Sequence, residues 1–351
     1  MKEYTKDRTL IVKGVAIMLL LMYHLFHEKY VLEEMGVNHA PLSQETFLNL
    51  AGFGNICVAI FVMLTAYGIS TGIFKEVNLN TKNEFQKAGR RFAKLMLNFF
   101  VVYVTINAIC FPFLNYGSLY GEGKQSVLLM LCDALGLSST LQTPMLNGTW
   151  WYMKLAYILI FLVPCMAFLA KKTGTIFLLL AFFTPFVIPL DSDVERYFFV
   201  AAFGVVAALG RWPEKVMNSK IPGIIWWLLA AVGSVLMVLV RQNALVKDYF
   251  WNYADAFIAF FIICATTMTV GNVPVLNTVL KFLGKHSMNI FLVHTMFYMV
   301  AFRKYIYHFK YAAVTFVILL GVSLVYSVIL ETAKKGVEKI FEILVKKAKK
   351  G

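Results

Sequence analysis

Residues 9–27 read TLIVKGVAIMLLLMYHLFH. A helix that crosses a bilayer needs about 20 mainly apolar residues, and this run meets that length. Two ionisable residues interrupt it, Lys13 and His24. At about 100° and 1.5 Å per residue they fall on nearly the same helix face, about 16 Å apart along the axis. They cannot touch, but they can hold two ends of one long ligand. The plainer reading is a snorkelling lysine and a packed histidine. Ionisable groups inside a membrane are costly and tend to be functional, which favours a ligand site.

The rest of the chain shares this apolar character. Of its 351 residues 60% are hydrophobic and 15% charged, against about 45–50% and about 25% in an ordinary soluble chain. The sequence therefore predicts an all-α, polytopic membrane helical bundle. Ten spans are expected, at 9–27, 52–74, 93–114, 150–170, 174–190, 195–211, 222–241, 250–270, 284–303 and 311–332. The first is read as a retained span, since no small-residue cleavage pattern follows it. Segment 126–137, SVLLMLCDALGL, is too short to cross and is expected to be interfacial or re-entrant. Residues 1–332 form the expected bundle, and 333–351 a basic amphipathic cytoplasmic tail on anionic membrane lipids.

The net charge is +14. Its cations cluster in alternate loops, which reads as a positive-inside signal and not as a nucleic-acid surface. Lys75, Lys82, Lys87, Arg90, Arg91 and Lys94 mark one cytoplasmic block, and both termini are expected on that side. Arg303, Lys304 and Lys310 fall on the other side, against the rule. The five cysteines are scattered and form no CxxC pair, so they read as packed apolar residues.

Several polar groups sit within or beside the spans. Arg90 and Arg91 open the third span in RRFAKLMLNFF, as membrane anchors or as a phosphate site suited to the guanidinium fork. In LGKHSMNIFLVHTMFYMV, Ser287, His294 and Tyr298 share one helix stripe, with His286 outside it. That stripe is either interhelical hydrogen bonding or a site. Thr65, Gly68 and Gly72 line one face of the second span and read as a close-packing surface. Trp150 and Trp151 read as interfacial aromatics, or as the floor of a sugar site. Lys154 is expected to snorkel to the outer surface, and Asp255 is open to pairing with it or to binding an acceptor. Asn147-Gly148-Thr149 matches a glycosylation sequon weakly. His24 and His27 lack a third ligand at metal spacing, so no metal site is expected. No Walker A, GxGxxG or GxSxG motif occurs.

Together these motifs resemble the acyltransferase-3 family, bacterial membrane O-acyltransferases that decorate surface glycans. Lys13 and His24 match its basic residue, ten-residue gap and histidine, with Lys where Arg is common. GNICVAIFVMLTAYGIS resembles its second span, the Arg90–Arg91 pair the start of its third, and LGKHSMNIFLVH a late span. The resemblance runs nearly the whole chain, as a stand-alone membrane domain. It implies acyl transfer, with acetyl the expected group, from cytoplasmic acyl-coenzyme A to a hydroxyl of a glycan or lipid-linked sugar. The enzyme would work in the bacterial cytoplasmic membrane, with no permanently bound cofactor. Lys13, Arg90 and Arg91 would hold the donor's phosphates. His24 would act as general base or covalent relay, with His294 as the second catalytic candidate and Ser287 or Tyr298 as oxyanion donors. The competing functions are a transporter or flippase of glycan intermediates and a lipid-sensing scaffold.

Overall fold

The computed structural model describes residues 2–76 and 81–348, with side chains described as far as residue 336. It is 84% helical, without strands among the described residues. Helices lie on the expected segments in order: α1 Lys6–Phe26, α2 Ile56–Phe74, α3 Thr81–Cys110, α4 Tyr152–Thr173, α5 Phe177–Val187, α6 Ser192–Leu209, α7 Gly223–Gln242, α8 Trp251–Met268, α9 Pro274–Thr295 and α10 Ala312–Ala348. Other helices, such as Gln44–Phe53 and Lys124–Ala134, lie in the connections between those segments. The second of these corresponds to the segment too short to span.

Seven stretches among the described residues are long and apolar enough to cross a membrane. One of them, Gly148–Val187, contains both α4 and α5. Helices α6 and α9 are not in that group. Asp193, Glu195 and Arg196 fall in the first turns of α6, and Lys281, Lys285 and His286 within α9. Their polar character is absorbed by packing: α6 lies against α2, and α9 against α1. Helix α7 is the opposite case, with Trp226 its one buried residue and its other faces turned outward.

Local chemistry sets the helix ends. Thr5 caps α1 by accepting the Arg8 N–H, and Asp7 adds an acid to the first turn. An acid there suits the positive end of the helix dipole. Asp191 caps α6 through the Asp193 N–H at 3.2 Å. Arg8 reaches across to Thr267 O at 2.8 Å and Asn272 Oδ1 at 3.0 Å, fixing the end of α8.

Helices α1 and α9 run parallel and touch backbone to backbone. A Cβ on Gly14 would come within 2.2 Å of Leu280 O, and one on Gly284 within 1.8 Å of Leu10 O. Only glycine fits either position, so this is the close small-residue contact of the bundle. The sequence assigned that role to Gly68 and Gly72. A Cβ at either meets nothing within 4 Å, and Thr65 bonds its own helix at Phe61 O. The face is not a close-packing surface, because no neighbouring backbone approaches it.

The N-terminal end of α1, the start of α9 and the last described side chains of α10 share one end of the bundle. Lys281 pairs with Asp7 there. Lys334 Nζ donates to Asn98 Oδ1 of α3 and lies 3.0 Å from Glu331. Helix α10 continues through residue 332 without a break. The amphipathic face expected for the tail lies outside the described residues. At the opposite end Arg303 pairs with Glu34 at 2.7 Å, which gives this cation a counter-charge.

Candidate active site

The α1 face that carries Lys13 and His24 lies along the α9 stripe. At the Lys13 end, a cavity of about 160 Å³ is lined by Lys13, Thr65, Leu95, Tyr152, Ser287 and Phe291. Lys13 is half-buried and has no acid partner among the described residues. Ser287 donates back to Gly284 O at 2.9 Å. A half-buried ammonium without a counter-ion favours an anionic ligand at this end.

At the other end His24 and His294 meet, with ring centroids 4.8 Å apart and planes tilted by 56°. His294 is fully buried, and its Nδ1 lies 2.7 Å from Phe291 O. A carbonyl can only accept, so Nδ1 carries the proton and Nε2 the lone pair. That Nε2 is buried and has no partner among the described residues. His24 is half-buried and forms no hydrogen bond with the described residues. Its ring lines two cavities. One, of about 290 Å³, includes Tyr23, Asn55, Trp151, Asp193, Arg196 and Phe291. The other, of about 300 Å³, includes His27, Glu28, Asn147, Thr295, Tyr298 and Arg303. Phe291 also lines the Lys13 cavity, so this residue is common to the lysine end and the histidine end.

The loop before α4 forms a wall of the histidine site. Asn147 Nδ2 donates to Thr295 Oγ1 at 2.7 Å, and the Thr149 N–H donates to Asn147 Oδ1 at 3.1 Å. Asp133 holds this loop by accepting the Leu146 N–H at 2.8 Å and the Tyr120 hydroxyl at 2.6 Å. Burial pushes the Asp133 carboxyl above its ordinary range. Thr149 lines both histidine cavities.

Arg90 and Arg91 lie on α3. Arg90 is exposed and Arg91 half-buried, and the Arg91 Nη1 is buried without a partner among the described residues. Leu95, one turn after Arg91, lines the Lys13 cavity. The structure thus brings His24 together with His294 and Tyr298, and Lys13 with Ser287. Among the described residues the arginine pair makes no hydrogen bond or ion pair with either group.

This constellation can be set beside known proteins. The pattern of the acyltransferase-3 family, described as an acyltransferase domain, matches residues 11–332. The chain belongs to the acyltransferase-3 family. It is an O-acyltransferase-like enzyme built as a multi-pass membrane helical bundle. No curated protein and no solved structure matches it.

Several polar residues of this acyltransferase have surroundings other than those expected from sequence. Trp150 is 1% exposed and donates Nε1–H to Leu292 O at 2.8 Å, so it is a core residue and not interfacial. Trp151 does face a histidine cavity, stacked on Tyr197. The Asn147 amide is occupied inside the fold, which is incompatible with use as a glycan acceptor. Lys154 does not snorkel freely; it pairs with Asp191 at 2.9 Å and Asp193 at 2.6 Å. That lysine holds the Asp191 carboxyl below the usual carboxylate range. Asp255 pairs with Arg241 instead, through two bonds of 2.8 and 2.9 Å.

Sequence reasoning missed Arg196, Thr149 and Asn147 as cavity residues. The charge cluster Asp191, Asp193, Glu195 and Arg196 at the start of an apolar segment was the available signal.

Proposed function

We propose that this acyltransferase moves an acyl group, with acetyl as the expected one, from cytoplasmic acyl-coenzyme A to a hydroxyl of a cell-surface glycan or lipid-linked sugar. Its place would be the bacterial cytoplasmic membrane, with ten crossings, both termini inside and the basic tail on anionic lipids. The parallel run of α1 and α9 fits their roles as first and ninth spans. The observation that carries the reading is the His24–His294 pair at the meeting of two cavities, one of which shares Phe291 with the Lys13 cavity.

In this reading Lys13, Arg90 and Arg91 hold the donor's phosphates by charge-assisted bonds. The unpartnered Arg91 Nη1 and the unpaired Lys13 support that role. The donor's arm follows the α1–α9 seam past Phe291. His24 removes the acceptor hydroxyl proton as that oxygen attacks the thioester carbonyl carbon. The carbon–sulfur bond then breaks, and the coenzyme leaves as a thiolate that takes the proton back from His24. The lone pair on His294 Nε2 would accept an N–H from the protonated His24 ring and so stabilise it. Tyr298, which lines a His24 cavity, is better placed than Ser287 to donate to an oxyanion. A covalent relay through His24 would use the same residues and give the same products.

The test is mass analysis of surface glycans from cells with and without this gene. The reading predicts that one acyl mass disappears with the gene and returns on complementation. Unchanged glycan and lipid-linked sugar masses would refute it.

A further inference from the structure

Arg196 lies in the second turn of α6 and lines the same cavity as His24. Its guanidinium carbon sits 3.7 Å from the Trp251 ring centroid and 5.1 Å from that of Tyr197. Stacking on two aromatic faces holds the group in one orientation. Its Nε and Nη2, the side-on fork of the guanidinium, are buried and meet no acceptor among the described residues.

The neighbouring carboxylates are already engaged. Arg241 fills the same fork with Asp255, Nε to Oδ1 at 2.8 Å and Nη2 to Oδ2 at 2.9 Å. Asp193, which lines the Arg196 cavity, pairs with Lys154 at 2.6 Å, a lysine it shares with Asp191. Of these two arginines near the outer end of the bundle, one has its fork filled by a carboxylate and the other does not. Donors that are charged, buried and unpaired are costly to keep. A planar fork is matched best by a carboxylate or a phosphate.

We infer that Arg196 is the subsite for an acidic group on the acyl acceptor, a carboxylate or phosphate carried by the sugar whose hydroxyl reaches His24. This rests on the acyl-acceptor reading of the His24 cavity. The route in from outside supports it. Asn55 lines both the Arg196 cavity and a neighbouring cleft of about 440 Å³, which also holds Asn49, Gln242 and Trp251. Amide side chains and an indole face suit a sugar. An acceptor entering there passes Trp251 and then Arg196 on its way to His24. A neutral sugar leaves the fork empty, whereas an acidic one fills it, so Arg196 sets acceptor specificity.

The test uses purified full-length protein in lipid nanodiscs and three probes: glucose, glucuronate and glucose 6-phosphate. Binding is read by saturation-transfer NMR for the wild type, Arg196→Gln and His24→Gln. A charge-assisted bond pair predicts that the wild type binds one acidic probe about 10- to 100-fold more tightly than glucose. Arg196→Gln removes that preference and His24→Gln keeps it. Should Arg196→Gln fail to accumulate, Arg196→Lys replaces it, keeping the charge without the fork, and the preference shrinks at least about tenfold. Equal binding of all three probes to the wild type overturns the subsite, as does a preference that survives either Arg196 substitution. If the preference follows Arg196 but no probe is acylated from acetyl-coenzyme A, the anion subsite stands and the acyl-transfer reading of the cavity falls.

Discussion

Gly284→Ala should disable the enzyme without replacing any polar residue of the site. A Cβ at Gly284 would sit 1.8 Å from Leu10 O, whereas ordinary contact begins near 3.4 Å. The clash is with backbone, so α1 and α9 must part by about 1.6 Å there, because packed helices have no slack to absorb it. Overpacking of this kind costs about 1–3 kcal/mol. The same two helices carry His24 and His294, so the parting shifts one ring against the other. A displacement of about 1 Å at reacting groups can cost about 10²-fold in rate. Acetyl transfer by the purified protein should fall by about that factor, and the melting temperature should drop. Gly72→Ala is the matched control. A Cβ there meets nothing within 4 Å, and replacing a helix-interior glycine by alanine adds up to about 1 kcal/mol of helix stability. Turnover in Gly284→Ala within about threefold of wild type would refute the view that this contact sets the histidine geometry.

The donor end gives a second expectation. Arg91→Ala should raise KM for acetyl-coenzyme A at least about tenfold, since a charge-assisted bond is worth about 1.5–3 kcal/mol, and leave the melting temperature near wild type. Unchanged donor affinity in both Arg91→Ala and Arg90→Ala would remove the phosphate role. A third concerns pH. Lys154 holds Asp191 below the usual carboxylate range. Such a group stabilises the fold above its unfolded pKa, about 3.9 for Asp, and that contribution is lost as pH falls through the lowered value. Asp191→Asn should therefore melt lower than wild type at neutral pH, with the gap closing below about pH 4. A gap that stays constant to pH 3 would contradict this account of the Lys154 pairing.

Helical periodicity alone makes the Lys13–His24 face and the Ser287–His294–Tyr298 stripe legible, because residue spacing fixes which side chains share a face. It cannot say which helix lies opposite. That α1 meets α9, bringing His24 to His294, depends on glycines whose role emerges only when two backbones touch. Gly68 and Gly72 form the paired small-residue pattern that reads as a contact face, yet a Cβ at either meets nothing within 4 Å, whereas the single glycines Gly14 and Gly284 make the contact. Charge pairing is similarly non-local. Lys154 finds Asp191 and Asp193 across the α4–α6 contact, and Asp255 finds Arg241 on the adjacent α7. Hydropathy likewise locates α6 and α9 but does not reveal that their charged turns build cavity walls. Arg196 was therefore visible as a charge and invisible as a site residue.

The account stands most directly on His24. The decisive measurement is the turnover of purified His24→Gln with acetyl-coenzyme A and the acceptor identified by glycan mass analysis. Glutamine keeps hydrogen-bonding capacity but cannot take the proton. Removing a positioned base typically costs about 10²–10⁴-fold, so turnover should fall at least about 10²-fold while melting temperature and donor affinity stay near wild type. Near-normal turnover in His24→Gln would make His24 a packing residue and contradict the assignment of the His24–His294 pair as the place of acyl transfer.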